Sequence, residues 1–564
     1  MQRWRTFSIL VALGLVVAAC TTTSTSQEPS GSAEPSTPES TAPFVATSYP
    51  EDGPADCAYG GEFSQIKAVD ELTVEFDLCF PDPAFLSKLA FTSNAIHDTA
   101  WLEANMVNHL ILARPNGTGP YKFEEHVRGD HITLTRNDSY WGEKAIAETL
   151  IIQWSSESAA RLLALQAGTV DGIDNPGPDD FGTISGDANL ALKNRPALNV
   201  FYVGMTNTFA PFDNVAVRQA VAMGLDRQRI VDTFYPGGST VASHFTPCEI
   251  EFGCEGEAWY DFDATAAKAA LAAAGFPSGF STTIYYRDVV RGYLPDPGLV
   301  AVELQTQLAN IGITAEIQVQ ESGTFIDNSS AGLLNGFYLL GWGADYPDAT
   351  NFLDYHFNNP ANLQFGTIDA SVTDALKIGA QTEVAETRRA AYEDANNALR
   401  ETVPMIPIAH GASATAWKAD VAGAHSSPLT SERFSVMDPG GRSQLVWMQN
   451  AYPLSLYCAD ETDGETLRVC EQINEPLYEY ETGGTAAQPA LATECTPNDD
   501  ATVWTCALRS GVTFHDGAHF DANDVVLSFA VQWDAAHPLH IGRTGSFEYW
   551  AGLFAQFLNA PPAE

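Results

Sequence analysis

Positive charge is what this sequence has least of. Its 564 residues carry 28 Lys and Arg against 71 Asp and Glu, a net charge of −43. A surface that negative repels phosphate backbones, which argues against nucleic acid as a partner. Catalytic signatures are missing as well: there is no GxSxG elbow, no HExxH helix and no Walker loop, so no enzyme is expected. The acidic string "ADETDGE" lacks the spacing of an EF-hand loop. Neither a CxxC pair nor a Cys/His cluster at zinc spacing occurs, so neither metal nor cofactor is expected. Beyond the first twenty residues no apolar run is long enough to cross a bilayer.

What is present begins at the amino end. Arg3 and Arg5 precede the apolar run "TFSILVALGLVVAA", and "VAAC" follows, ending at Cys20. A charged start, a short apolar stretch and a small-residue cleavage site make an export signal over residues 1–20. The Cys within it marks a lipoprotein: cleavage leaves a diacylated Cys20, and two acyl chains suffice to hold a protein on the outer face of a membrane. The Ser/Thr/Pro/Glu tract that follows cannot bury enough apolar surface to offset its ordering entropy, so residues 21–50 read as a tether.

Removing Cys20 from the nine cysteines leaves eight, in close sequence pairs: Cys57 and Cys79, Cys248 and Cys254, Cys458 and Cys470, Cys495 and Cys506. An even count in an exported chain reads as disulfides. Pairing neighbours gives four short loops, while eight cysteines allow about 105 connectivities and sequence alone does not choose among them. Runs such as "ELTVEFDL" and "ESAARLLALQAGTVDGI" alternate strand and helix periodicity, so the class is α/β. Helix punctuation is explicit where Asp263 starts "DATAAKAALAAAGFPSGF" and Gly275 ends it, and where Asp521 and Asp524 open "DANDVVLSFAV".

Seven stretches carry a resemblance. They are "GTGPYKFEEHVRGDHITLTRNDSYWGE", "SAARLLALQAGTVDGI", "PFDN" with "VRQAVAMGLDRQRIVD", "AAKAALAAAGFPSGF", "GWGADYPDATNFL", "VPMIPIAHG" and "LRSGVTFHDGAHFDANDVVLSF". Together they resemble the extracytoplasmic solute-binding proteins of family 5, the peptide and nickel class of ABC importers. In that family the "FHDG" stretch comes early; here it follows the segments that normally end the chain. The resemblance therefore implies a circularly permuted, two-lobed periplasmic-binding-protein-like fold of type II, in its three-domain peptide-binding form. The implied divisions are the second half of domain II at 51–143, domain I at 144–262, domain III at 263–438, the first strand and helix of domain I at 439–480, and the first half of domain II at 481–564.

The function it implies is capture of a small solute, most simply a peptide, between two lobes by a monomer that hands it to ABC permease subunits. A sensor on the same fold, or a binder of a sugar or metal complex, is the alternative. Asp345 stands where peptide-binding members place the carboxylate that receives the ligand's α-ammonium. Gly341 and Gly343 allow close main-chain approach to an extended peptide, and Trp342 supplies an apolar wall. Arg287 and Arg291, with Tyr293, read as anion-capturing side chains in a loop at the cleft. The arginine that some peptide binders carry two residues before "GW" is Leu339 here. Trp447 and Asn450 on "LVWMQNAYPLSLY", and Tyr478, are expected to reach the cleft from the other lobe. His515 and Asp516 of "FHDG" read as structural.

Overall fold

The computed structural model describes residues 43–359 and 362–561. The export signal, Cys20 and most of the tether lie outside them. The tether ends earlier than expected at residue 50. Thr47 N donates to Asn523 Oδ1 at 3.0 Å, Asn523 Nδ2 donates to the Val45 carbonyl at 3.0 Å, and Ser48–Tyr49 pairs antiparallel with the strand Phe63–Asp70. The helix ends follow the punctuation: Asp263 accepts from Thr265 N and Ala266 N, Gly275 takes the left-handed φ of 100°, and Asp521 with Asp524 forms a reciprocal capping box.

Three sheets organise the chain, two of them mixed and the five-stranded one antiparallel throughout. A five-stranded sheet runs in the order Ser48–Tyr49, Phe63–Asp70, Thr73–Leu78, Val503–Leu508, Ala492–Pro497. A seven-stranded sheet runs Tyr121–Val127, His131–Arg136, Thr149–Trp154, Gln444–Gln449, Gly172–Asp174, Ser413–Lys418, Leu190–Arg195. A six-stranded sheet runs Thr240–Val241, Met405–His410, Asn199–Met205, Phe337–Gly343, Phe280–Arg287, Ile313–Gln320. The first two make one lobe and the third the other.

Residues beyond 440 are woven into the first lobe. Gln444–Gln449 lies between Thr149–Trp154 and Gly172–Asp174, parallel to both, and Val503–Leu508 is antiparallel to Thr73–Leu78. The Phe63 ring sits 4.9 Å from Phe554 and 5.3 Å from Trp550, so one aromatic core takes side chains from both regions. Disulfides close the four neighbour pairs, Cys57–Cys79, Cys248–Cys254, Cys458–Cys470 and Cys495–Cys506, and the last staples the strand pair that completes the five-stranded sheet.

The main chain passes from lobe to lobe through two short crossings, between Arg195 and Asn199 and between His410 and Ser413. Asn199 clamps them together: its Nδ2 donates to the Gly411 carbonyl at 2.7 Å, and its Oδ1 accepts from Gly411 N at 2.9 Å. Beside this hinge lies a buried ion square. Arg195 reaches Asp174 at 3.0 Å and Glu432 at 2.5 Å, and Arg468 reaches Asp174 at 3.0 Å and Glu432 at 2.9 Å. Burial by itself would raise the Asp174 carboxyl, but the Arg468 and Arg195 guanidiniums hold it well below its ordinary value. Two cations matched to two anions leave no uncompensated charge, whereas removing one member of such a set costs about 3–5 kcal/mol.

Three expected domain boundaries do not coincide with sheet boundaries. Strands Tyr121–Val127 and His131–Arg136 share a sheet with Thr149–Trp154, across 143/144. Asn199–Met205 belongs to the second lobe's sheet although it precedes 263, and Ser413–Lys418 belongs to the first lobe's sheet although it precedes 439. For the last two the physical reason is the hinge, which falls in the short connections 195–199 and 410–413 between consecutive strands of different sheets rather than in long linkers.

Candidate functional site

Between the lobes lies a cavity of about 340 Å³. Its second-lobe wall is the end of the strand Phe337–Gly343. That strand pairs with Asn199–Met205 along its whole length, but its pairing with Phe280–Arg287 stops at Tyr338. From Leu339 onward only one edge of the strand is used by the sheet. Gly341 is required by packing, because a Cβ there would come within 2.3 Å of the Tyr293 ring. Gly343 is exposed, and a Cβ there would meet nothing within 4 Å. Trp342 stacks on Tyr355 with ring centroids 4.2 Å apart and presents its edge to His356, whose ring burial keeps neutral by pushing its pKa down to about 3.

Two residues past the strand, Asp345 is held by neutral donors alone. Asn351 Nδ2 donates to Oδ2 at 3.0 Å and Tyr549 Oη donates to Oδ1 at 2.8 Å, while Asn351 Oδ1 accepts from the Asp345 amide at 3.0 Å and from Trp342 Nε1 at 3.1 Å. Tyr549 belongs to the first lobe, so this hydrogen bond spans the cleft. Among the described residues no cation lies within ion-pair distance of Asp345, and burial pushes its carboxyl up to about 6 despite the two donors. Nearby Asp348 is committed elsewhere, capping the helix Ala349–Leu353 and pairing with Arg388 at 3.0 Å.

Arg287 is the reverse case. It ends the strand Phe280–Arg287, lines the cavity, and donates only to Ser322 Oγ at 3.1 Å and Tyr293 Oη at 3.4 Å. No carboxylate among the described residues pairs with it, although acids outnumber bases more than two to one in the chain. Arg291 instead reaches across the cleft to Glu465 at 3.5 Å, and that carboxylate raises its pKa. It acts as an inter-lobe tie.

Asp345, Trp342, Gly341, Gly343, Arg287, Arg291, Tyr293 and Asn450 therefore meet at one cavity. Trp447 and Tyr478 do not. Trp447 is fully buried, stacked on Trp417 at 4.8 Å inside the first lobe's core. The Tyr478 hydroxyl accepts from Cys495 N at 2.9 Å and pins neighbouring strands. Gln444–Gln449 is an inner strand with apolar clusters against both faces, Val446 and Met448 being partly buried on one of them, so apolar alternation in the sequence does not separate its cleft-facing side chains from its packed ones. Tyr549, Tyr355 and Tyr480 complete the wall, with Asn351 buried behind Asp345, and none was expected there. Asn351 stood within a quoted motif, while Tyr549, which donates to Asp345 from 204 residues away, reads as core in "EYWAGLF". The His515 ring faces the Gly119 carbonyl at 3.0 Å, a structural use.

Comparison with known proteins agrees with this architecture. Residues 28–364 and 486–545 match the family model described as bacterial extracellular solute-binding proteins, family 5, middle. The chain belongs to this family. The di/tripeptide-binding protein 1 of Pseudomonas aeruginosa (strain UCBPP-PA14) is 30% identical over 371 residues, which cover 64% of this chain and 69% of the relative. Heme-binding protein A of Haemophilus influenzae (strain ATCC 51907 / DSM 11121 / KW20 / Rd) is 28% identical over 385 residues, covering 67% and 70%. Among solved structures, a dipeptide-binding protein from Pseudoalteromonas sp. SM9913 in complex with Met-Leu superposes with a TM-score of 0.62 at 25% identity, covering 67% of this chain and 75% of that one. No helix among the described residues is long and apolar enough to cross a membrane.

Two substitutions separate wall from core. Trp447→Ala lowers unfolding stability by about 3–5 kcal/mol in urea titration and leaves solute affinity intact below the transition. Gly343→Val keeps the melting temperature, because the strand accepts a β-branched residue and the side chain enters open space, but it lowers affinity about tenfold or more by filling the ligand's place.

Proposed function

We propose that this protein captures short peptides between its lobes and delivers them to the permease subunits of an ABC importer. The observation that carries this reading is the pairing of two opposite, uncompensated charges in one cavity: the Asp345 carboxylate with no cation and the Arg287 guanidinium with no carboxylate. A peptide zwitterion supplies both missing partners, and its backbone fits the strand edge left unused beyond Tyr338. The lobes close because the solute touches both only when they are shut. Relatives whose names state di- and tripeptide or dipeptide binding support the same class of solute. In this reading Cys20 carries the lipid anchor, and the protein works as a monomer on the extracytoplasmic face.

Asp345→Asn tests the ammonium site. The amide retains hydrogen bonds and removes a buried charge, so the melting temperature stays level or rises while dipeptide affinity falls about a hundredfold; calorimetry and thermal unfolding read the two. In the wild type, affinity for a dipeptide is greatest between about pH 6 and pH 8. It weakens below 6 as the Asp345 carboxyl protonates, and above 8 as the peptide's own α-amino group loses its proton. The titratable side chains that face Asp345 are the phenols of Tyr355, Tyr480 and Tyr549, all with pKa values above the ordinary one through burial, so none of them competes in this range.

The motif order is read as a circular permutation. It is supported by the place of Gln444–Gln449 inside the sheet and by the approach of the chain's last described turn to the start of the fold, where Glu62 N donates to the Phe554 carbonyl at 3.1 Å. Opening the chain in the exposed glycine turn at Gly440–Gly441 and joining residue 561 to residue 45 through a short flexible linker restores the relatives' order. The expected product folds with an unchanged solute affinity; a re-cut chain that neither folds nor binds contradicts the permutation.

A further inference from the structure

The first lobe contributes a second set of uncompensated acceptors to the cavity. Asp463, Glu465 and Asn450 converge where the strand Gln444–Gln449 ends and the helix Gly464–Cys470 begins; Gln449 Nε2 donates to the Glu465 carbonyl at 3.1 Å and ties the two elements together. Asp463 accepts from Thr466 N at 3.0 Å through Oδ1, but its Oδ2 is closed off and receives no hydrogen bond. The same is true of Asn450 Oδ1, on a side chain only 8% exposed. Glu465, 5% exposed, has one ion-pair partner among the described residues, Arg291, at the long distance of 3.5 Å, with Arg161 and Arg468 within electrostatic reach.

Other nearby cations are committed. Arg468 and Arg195 are matched to Asp174 and Glu432, and Arg543 grips both oxygens of Glu461 at 2.7 Å. Burial and the neighbouring Glu465 push the Asp463 carboxyl up to about 6, so the group is held charged at neutral pH against its surroundings. Buried acceptors without donors are rare and costly in native proteins, and their concentration on the wall of a ligand cavity points to a ligand.

We propose that Asp463, Glu465 and Asn450 form a subsite for a cationic side chain, so that the preferred solutes are short peptides carrying lysine or arginine. The inference rests on the peptide reading above and names the class of peptide. A lysine ammonium or an arginine guanidinium brings several donors and one charge to three acceptors. A neutral side chain leaves the Asp463 oxygen unpaired, and an acidic one meets like charge.

The test is calorimetry of the full chain with peptides that share a backbone and differ in one charge: Ala-Lys, Ala-norleucine and Ala-Glu, and Lys-Ala against norleucine-Ala. The expected result is that lysine exceeds norleucine by about tenfold or more in at least one position and that Ala-Glu is weakest. That preference collapses in Asp463→Asn and in Asp463→Ser, both of which still cap the helix, while the norleucine peptides bind the variants as they bind the wild type. Equal binding of lysine and norleucine peptides by the wild type, or a lysine preference that survives both variants, overturns the subsite and leaves the peptide reading standing. Binding of none of the five peptides overturns both.

Discussion

A carboxylate drawn into a cleft and contacted, among the described residues, only by neutral donors holds its charge at a cost, and Asp345 is in that position just past the end of an inner strand of the second lobe. Asn351 and Tyr549 offset part of the desolvation, but neither carries charge. The shape of the cleft follows from this. Asn351 orients the carboxylate and the Trp342 indole together, and Tyr355 backs that indole. Tyr549 comes from the opposite lobe, so the group that awaits a cation also records whether the lobes are together. A ligand that neutralises Asp345 strengthens the shut form by the difference in its contacts between the two forms, which is the only way a solute can drive closure.

The hinge makes such a shift inexpensive. Two crossings of a few residues connect the lobes, and the Asn199 amide locks them to each other as a pair. Around them the ion square of Arg195, Arg468, Asp174 and Glu432 is internally neutral, which keeps the base of the cleft rigid and leaves the charge imbalance to groups that face the solute. The inter-lobe pair of Arg291 and Glu465 is long at 3.5 Å, a tie loose enough to exchange partners. The circular permutation proposed above would disturb none of this, because every strand keeps its neighbours when the covalent connection is moved to an exposed turn.

Much of this was legible in the sequence. Asp345, Trp342 and the two glycines stand on "GWGADYPDATNFL", one of the stretches that carry the resemblance, and the helix caps at Asp263 and Asp521 are local chemistry that needs no tertiary knowledge. The disulfide partners were present as sequence neighbours, although their pairing needed coordinates. Trp447 was misplaced for a physical reason: an inner strand covered on both faces has no polar side to mark which residues look into a cleft, while Tyr478, on a two-stranded pair, has its hydroxyl taken by the Cys495 amide. Two of the domain boundaries slipped because the hinge falls in short connections between consecutive strands, where nothing in the composition marks a linker. Tyr549 depends on a contact with a distant part of the chain and reads in the sequence as core, and Asp463 reads there as an ordinary capping residue.

The most direct measurement compares one dipeptide with its N-acetylated form in calorimetry against the full chain, since acetylation removes the ammonium and little else. The account predicts that the free dipeptide binds and that the acetylated form loses about a hundredfold or more in affinity. Equal affinity for the two would contradict it, because Asp345 would then hold its charge for something other than the amino end of a peptide.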